Sequence, residues 1–246
     1  MIDRLLALQR AGGRGVLLTV VEGEDLGSKL LVVEGGETSG DGPPELAAHA
    51  DELIRGARSR TVELEGRKVF AEVYGPPPRL FVYGAVDTAE ALAAGAKLLG
   101  WTTIVADARP RFATRERMPS AGELIVAWPE EAFAQVAPDH ATAVVVLTHD
   151  DKFDLPALEL ALATDAFYVG LIGGKRNQER KRERLREAGV SEDAIERIAG
   201  PCGLDLGADS VPETALSILA EALAARNGRA GGPLREAKRR QRAEAS

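Results

Sequence analysis

The sequence of 246 residues contains one cysteine, Cys202, and three histidines, His49, His140 and His149. A single cysteine excludes an intrachain disulfide framework and any cysteine-rich zinc or iron–sulfur site built from this chain alone. The histidines lack the spacing of a zinc-ligand set. No apolar run approaches the ~18 residues of a membrane span, and Met1-Ile2-Asp3-Arg4 begins no signal peptide, so the expectation is a soluble, cytoplasmic protein. No serine-nucleophile elbow, kinase loop or phosphate-binding P-loop occurs. Basic excess is missing as well: 31 Lys+Arg stand against 38 Asp+Glu, a net charge of −7, which argues against a nucleic-acid partner.

Hydrophobic residues make up 45% of the chain, enough for the core of one large domain or two modest ones. Charge is uneven. Between Gly228 and Ser246 stand Arg229, Arg235, Lys238, Arg239, Arg240 and Arg242 against Glu236 and Glu244, a segment of +4 beside −11 for the remainder. With Leu234 as its one sizeable apolar side chain, the segment reads as a basic, mobile terminus.

Pro76-Pro77-Pro78 divides the rest, because three prolines neither donate to a sheet ladder nor continue a helix. Residues 1–75 read as a small α+β domain. Its β-type runs are Gly15–Val21, Lys29–Val33, Thr61–Leu64 and Lys68–Val73, with a helix over about Pro44–Arg58. Residues 76–78 are a linker, 79–228 a second domain and 229–246 the basic tail. In the second domain strands alternate with helices: Leu80–Tyr83, Thr102–Ala106, Leu124–Ala127, Ala143–Leu147 and Phe167–Gly170, with helices at Thr88–Leu99 and Leu155–Thr164. Ala143-Val144-Val145-Val146-Leu147 has no polar alternation, as a strand buried on both faces requires. The fold class is therefore α/β, a Rossmann-like doubly wound parallel sheet preceded by a small α+β domain. Ser210 and Glu213 form a capping-box pattern before the last helix, whose expected apolar face is Leu216, Ile218, Leu219, Leu223 and Ala224.

Ligands of such sheets bind beyond the carboxyl ends of the strands. Polar groups follow four predicted strands. The first turn, Gly84-Ala85-Val86-Asp87-Thr88-Ala89, approaches a dinucleotide fingerprint, with Asp107 placed 23 positions beyond Gly84 to meet a ribose hydroxyl. Val86 replaces the glycine that admits a pyrophosphate and Asp87 adds negative charge, which disfavours ordinary NAD(P) binding. Arg109 follows the second strand. His149, Asp150, Asp151 and Asp154 follow the buried strand, offering proton transfer, cation binding or loop capping. Asp154, directly before Leu155-Pro156, reads as a helix cap. Gly173-Gly174-Lys175-Arg176 reads as an anion cradle, and the helix after it, with Arg180, Lys181, Arg182, Arg184 and Arg186 among glutamates, reads as a solvated face. Cys202 is read either as a small buried side chain or as a nucleophile or persulfide carrier.

Several stretches together resemble the XdhC/CoxI family of accessory factors for molybdenum hydroxylases such as xanthine dehydrogenase and carbon monoxide dehydrogenase. They are Leu99-Gly100-Trp101, Val105–Pro110, Arg111-Phe112-Ala113-Thr114, Ala127-Trp128-Pro129, Leu147-Thr148-His149-Asp150, Phe167-Tyr168-Val169-Gly170, Gly200–Ala208, and Pro212-Glu213 through Ala220-Glu221. The resemblance covers about residues 78–228 well and the first 75 loosely. It implies a protein that binds molybdenum cofactor, as molybdopterin or its cytosine dinucleotide, and supports its insertion into an apo molybdenum hydroxylase. It leaves a cysteine desulfurase partner and a homodimer open. The chain departs from the family in two places: Gly84-Ala85-Val86-Asp87 stands where members often have Gly-Ala-Gly-His, and Thr38-Ser39-Gly40-Asp41-Gly42 lacks the cysteine of a common Gly-Gly-Cys segment. The candidate cofactor-binding set is Gly84, Ala85, Thr88, Asp107, Arg109, His149, Asp150, Gly173, Lys175 and Arg176; no catalytic residue or metal ligand is assigned. The alternatives are an NAD(P)-dependent oxidoreductase with a degenerate turn and an interaction module without a ligand.

Overall fold

A computed structural model describes residues 1–236. The basic stretch with Lys238, Arg239, Arg240 and Arg242 lies outside the described residues. The chain divides into two compact units, Met1–Pro77 and Pro78–Ser246. Among the described residues no helix is long and apolar enough to cross a membrane.

The first unit begins with α1 (Ile2–Arg10), followed by β1 (Gly15–Glu22), β2 (Lys29–Val33) and β3 (Thr38–Gly40). A 3-10 turn over Pro44–His49 leads into α2 (Ala50–Gly56), and β4 (Arg60–Leu64) and β5 (Arg67–Tyr74) complete an antiparallel sheet in the order β3-β2-β1-β5-β4. Alternate residues face one side of a strand. Val16, Leu18 and Val20 of β1 thus join Leu30, Val32, Val69 and Ala71 under Leu46, Leu53 and Ile54. The expected single helix over Pro44–Arg58 is two pieces, and α1 and β3 are additional to the predicted elements.

The second unit is a parallel sheet covered on both faces. In chain order it contains β6 (Arg79–Tyr83), α3 (Asp87–Leu98), β7 (Thr102–Ala106), β8 (Glu123–Ile125), α4 (Pro129–Val136) and β9 (Thr142–Val146). Then come α5 (Asp151–Leu162), β10 (Tyr168–Leu171), α6 (Lys175–Glu187), α7 (Glu192–Glu196), β11 (Ile198–Ala199) and α8 (Val211–Arg226). The six strands lie in the order β11-β10-β9-β6-β7-β8, the arrangement of a doubly wound dinucleotide-binding fold. Period-two alternation sends Phe81, Tyr83, Ile104, Val144 and Val146 towards α4 and α5. Leu80, Val82, Val105, Val145 and Leu147 face α3 and α8. Every residue of β9 is buried. The Ser210–Glu213 capping box opens α8, with the Ser210 hydroxyl accepting from the Glu213 amide and the Glu213 carboxylate accepting from the Ser210 amide. Leu216, expected on the buried face of α8, is exposed; Ala215, Ser217, Ile218, Leu219 and Ala222 carry the packing.

Candidate functional site

The strand order reverses between β6 and β9: β6 continues into α3 and β9 into α5, which pack on opposite faces. Crevices of this kind open outside the carboxyl ends of the two strands. Gly84, just after β6, has φ +115°, and a Cβ there would stand 2.9 Å from the Thr148 amide nitrogen and 3.0 Å from the Leu147 carbonyl carbon. Only glycine meets both demands, so the turn after β6 is pressed against the loop after β9. Val86 is the N-cap of α3 and supplies no side-chain hydrogen bond, while Asp87 in the first turn pairs with Arg117 at 3.2 Å. Thr88 is buried in that same turn.

Asp107, after β7, is 1% exposed and fully engaged. Its Oδ1 accepts from the Arg109 amide and from Arg109 Nε, each at 2.9 Å, and its Oδ2 accepts from the Ala85 amide at 2.9 Å and Arg109 Nη2 at 2.8 Å. Four donors fill the acceptor positions of a carboxylate, leaving none for a ribose hydroxyl. Burial works to raise the carboxyl's pKa, but the Arg109 hydrogen bonds and the two amides outweigh it and hold it below the ordinary value. Asp107 therefore ties the first turn to the second loop and fixes Arg109 as a cation.

The loop after β9 distributes its four polar residues among separate tasks. His149 is exposed with φ +60°, a left-handed conformation that costs a non-glycine residue on the order of 1–3 kcal/mol. Asp150, not Asp154, caps α5, accepting from the Lys152 amide at 3.0 Å. Pro156 lies inside α5 rather than at its first position, so the Asp-Leu-Pro order, which imitates a cap followed by an early proline, misplaces the helix start by four residues. Asp151 accepts from Arg180 at 3.0 Å and Arg184 at 2.8 Å, joining α5 to α6. Asp154 is wholly buried, pairs with Lys181, and accepts from both the amide and hydroxyl of Thr148. Among the described residues no group of three or more His, Cys, Asp or Glu side chains is arranged to hold a metal ion.

Beyond β10, Gly173 adopts φ +119° and Gly174 caps α6 without a side-chain hydrogen bond, leaving the first helix amides available. Gly174, Lys175, Arg176, Asn177 and Arg180 line an open cavity of about 620 Å³. Lys175 and Arg176 are exposed, and among the described residues neither has an acidic partner. The helix dipole and both cations give this terminus a charge and donor set that suit an anion. Further along α6, Arg180, Glu183, Arg184, Arg186 and Glu187 are exposed, as the solvated-face reading expects, but Lys181 and Arg182 depart from it. Lys181 is buried, Arg182 donates to the Ile195 and Ile198 carbonyls at 2.7 Å, and Gln178 Nε2 donates to the carbonyls of Leu171, Ile172 and Gly173. The buried positions 178, 181 and 185 follow a 3-then-4 spacing, which was the signal for Lys181.

The candidate residues thus form two groups bridged by α5. Gly84, Ala85, Asp107 and Arg109 are connected directly, and the negative charge of Asp150 reaches Arg109. Gly173, Lys175 and Arg176 stand at the α6 terminus. Asp151, next to Asp150, joins the two through Arg180, which also lines the cavity.

Cys202 lies apart from these groups. Burial, aided by the nearby Glu221 carboxylate, pushes its thiol up to about 12, and the same carboxylate accepts from Tyr168 at 2.5 Å and the Gly203 amide at 2.7 Å. Thiolate is the reactive form. At about pH 8, iodoacetamide is expected to label Cys202 in the folded protein at least about tenfold more slowly than in urea; equal rates by mass spectrometry would contradict the half-buried, protonated state.

Geometry and topology together define a doubly wound α/β domain with an exposed pair of cations at one rim, following a small antiparallel-sheet domain. Residues 80–222 match the XdhC Rossmann domain, and the chain belongs to the XdhC family. It is 33% identical over 170 residues to the uncharacterized protein YqeB of Escherichia coli, covering 67% of this chain and 30% of that protein. It is 29% identical over 158 residues to a probable xanthine dehydrogenase subunit of Bacillus subtilis, covering 64% and 46%. With the molybdenum cofactor insertion chaperone PaoD of Escherichia coli it shares 30% identity over 153 residues, covering 62% and 42%. The matched region is thus less than half the length of each of these relatives. A crystal structure described as a xanthine dehydrogenase from Bacillus halodurans superposes with a TM-score of 0.69 at 22% identity, over 92% of this chain and 66% of that one, a likeness of fold.

Proposed function

We propose that this chain is a carrier of molybdenum cofactor that supports its insertion into an apo molybdenum hydroxylase of the xanthine dehydrogenase or carbon monoxide dehydrogenase type. The observation that carries the reading is the cavity at the uncapped α6 terminus, where Lys175 and Arg176 present positive charge without acidic partners among the described residues. The cofactor's phosphate meets free amides and two cations there, a chemically matched donor set. The bound group supplies the redox chemistry of the hydroxylase; this chain's residues bind, orient and release it. The cavity is open rather than enclosed, which suits a ligand that must be handed on. The proposal extends to either molybdopterin or its cytosine dinucleotide as cargo, to a cytoplasmic setting, and to a cysteine desulfurase and a second copy of the chain as further partners. PaoD's name supports the cofactor, and the Bacillus subtilis relative's name supports the hydroxylase.

The NAD(P) alternative is weakened by Asp107, whose acceptor positions are occupied by Arg109 and Ala85. Replacing both Lys175 and Arg176 with alanine is expected to weaken molybdopterin binding by roughly tenfold to a hundredfold, the loss of charge-assisted hydrogen bonds to phosphate. Isothermal titration of purified protein checks it, and unchanged affinity would remove the proposed seat.

A further inference from the structure

The chain has two tryptophans, and they sit in contrasting environments. Trp101 is 5% exposed and meets Phe167 edge-on at 5.9 Å. Trp128, the N-cap residue of α4, is 44% exposed, although the backbone before it is fixed by Tyr83, whose hydroxyl donates to the Ala127 carbonyl at 3.1 Å. Its ring stands 5.2 Å from that of Phe153, and the Lys152 ammonium lies 4.6 Å from the Trp128 ring and 5.6 Å from Phe153. The Arg109 guanidinium carbon lies 5.6 Å from the Phe153 ring centre and 4.1 Å from that of Phe112. Three rings and two cations therefore form a continuous set, Phe112, Arg109, Phe153, Trp128 and Lys152, beyond β7, β8 and β9. The two cations of this ridge are held differently: Arg109 is clamped by Asp107, whereas Lys152 rests on the two rings.

We infer that this ridge is a stacking platform for the planar nitrogen heterocycle of the phosphorylated ligand. The inference rests on the cofactor-carrier reading and adds to it the residues that hold the ligand's ring. Planar heterocycles stack on aromatic rings and guanidinium planes, and a platform fixed before binding loses little entropy when the ring arrives. Trp128, 44% exposed, supplies the accessible ring, and Arg109 and Lys152 supply the flanking positive charge. The platform is also joined to the anion seat: Lys152 follows Asp151, and Asp151 holds Arg180, which lines the α6 cavity. Heterocycle and phosphate would thus be received on either side of the first turn of α5. Two rings share this chemistry, the pterin and the nucleobase of a dinucleotide form, and the experiment separates them.

Trp101→Phe leaves Trp128 as the sole tryptophan, so its emission reports the platform. The protein is titrated with cytidine 5′-diphosphate, with pterin and with inorganic phosphate. Saturable quenching by the diphosphate identifies the nucleobase as the stacked ring, quenching by pterin identifies the pterin, and phosphate alone leaves the emission unchanged. Calorimetry with the quenching compound should show binding weakened at least about tenfold by Trp128→Ala, the scale of a lost base–aromatic stack. No quenching by either ring compound, or unchanged affinity in Trp128→Ala, overturns the platform. If Arg176→Ala weakens molybdopterin binding while Trp128→Ala leaves the affinity for the quenching compound unchanged, the carrier reading stands and the platform falls. If Trp128→Ala weakens binding and Arg176→Ala does not, the platform stands and the phosphate seat falls.

Discussion

Replacing Lys181 with methionine is expected to cost about 3–5 kcal/mol of stability, the usual penalty for leaving one member of a buried ion pair without its partner. Lys181 and Asp154 are both completely buried, one on α6 and the other on α5. Removing the ammonium strands a carboxylate that must either remain charged in an apolar surrounding or take up a proton. The harm is not confined to the pair. Asp154 also accepts from the amide and hydroxyl of Thr148, the residue against which Gly84 is packed. Loss of the ammonium thus loosens the base of the loop that carries His149. The double variant Lys181→Met with Asp154→Leu should recover much of the loss, because an apolar pair of similar volume removes the uncompensated charge. Urea denaturation of both variants checks this. A Lys181→Met protein within about 1 kcal/mol of the parent would show that the ion pair contributes little.

The same pair shows how far the sequence could be read. The parallel sheet was legible because Ala143–Leu147 is apolar without alternation, and this demands helices on both faces. The α8 boundary was legible because Ser210 and Glu213 act within one turn of each other. Features that depend on distant partners were not. Thr38-Ser39-Gly40 has little strand character of its own and is a strand because it pairs with β2. α1 has no side-chain cap and buries only Leu8, leaving a weak local signature. Asp154 looked like a cap because a proline follows two residues later, and only its contacts with Lys181 and Thr148 show otherwise. Among the candidate site residues, glycine turns and charged loop tips could be found from their positions after strands. The aromatic members, Phe112, Trp128 and Phe153, come from three separate loops or helices and are brought together only by the sheet order. Their one local sign was Trp128-Pro129, an aromatic residue directly before the helix-starting proline of α4.

Gly84→Ala is expected to lower stability by roughly 2–5 kcal/mol, combining an unfavourable left-handed backbone with overpacking. The atoms that a Cβ would meet decide the size of the effect. At Gly84 they are the Thr148 amide nitrogen at 2.9 Å and the Leu147 carbonyl carbon at 3.0 Å, both backbone, so no side chain can rotate away. Gly100 provides the control: its φ is +70°, and nothing stands within 4 Å of an added Cβ. Alanine there carries the conformational cost alone, on the order of 1 kcal/mol. The difference between the two variants in thermal or urea unfolding measures the close approach of the β6 and β9 loops, separately from backbone strain. That approach also sets the loops at the switch point, since Thr148 leads directly into His149 and Asp150 and Ala85 is held by Asp107. Gly84→Ala should therefore weaken ligand binding even at temperatures where the variant remains folded, and Gly100→Ala should not. Equal losses of stability in the two proteins, with equal affinities for molybdopterin, would mean that the loops separate at no cost and that ligand binding does not depend on their contact.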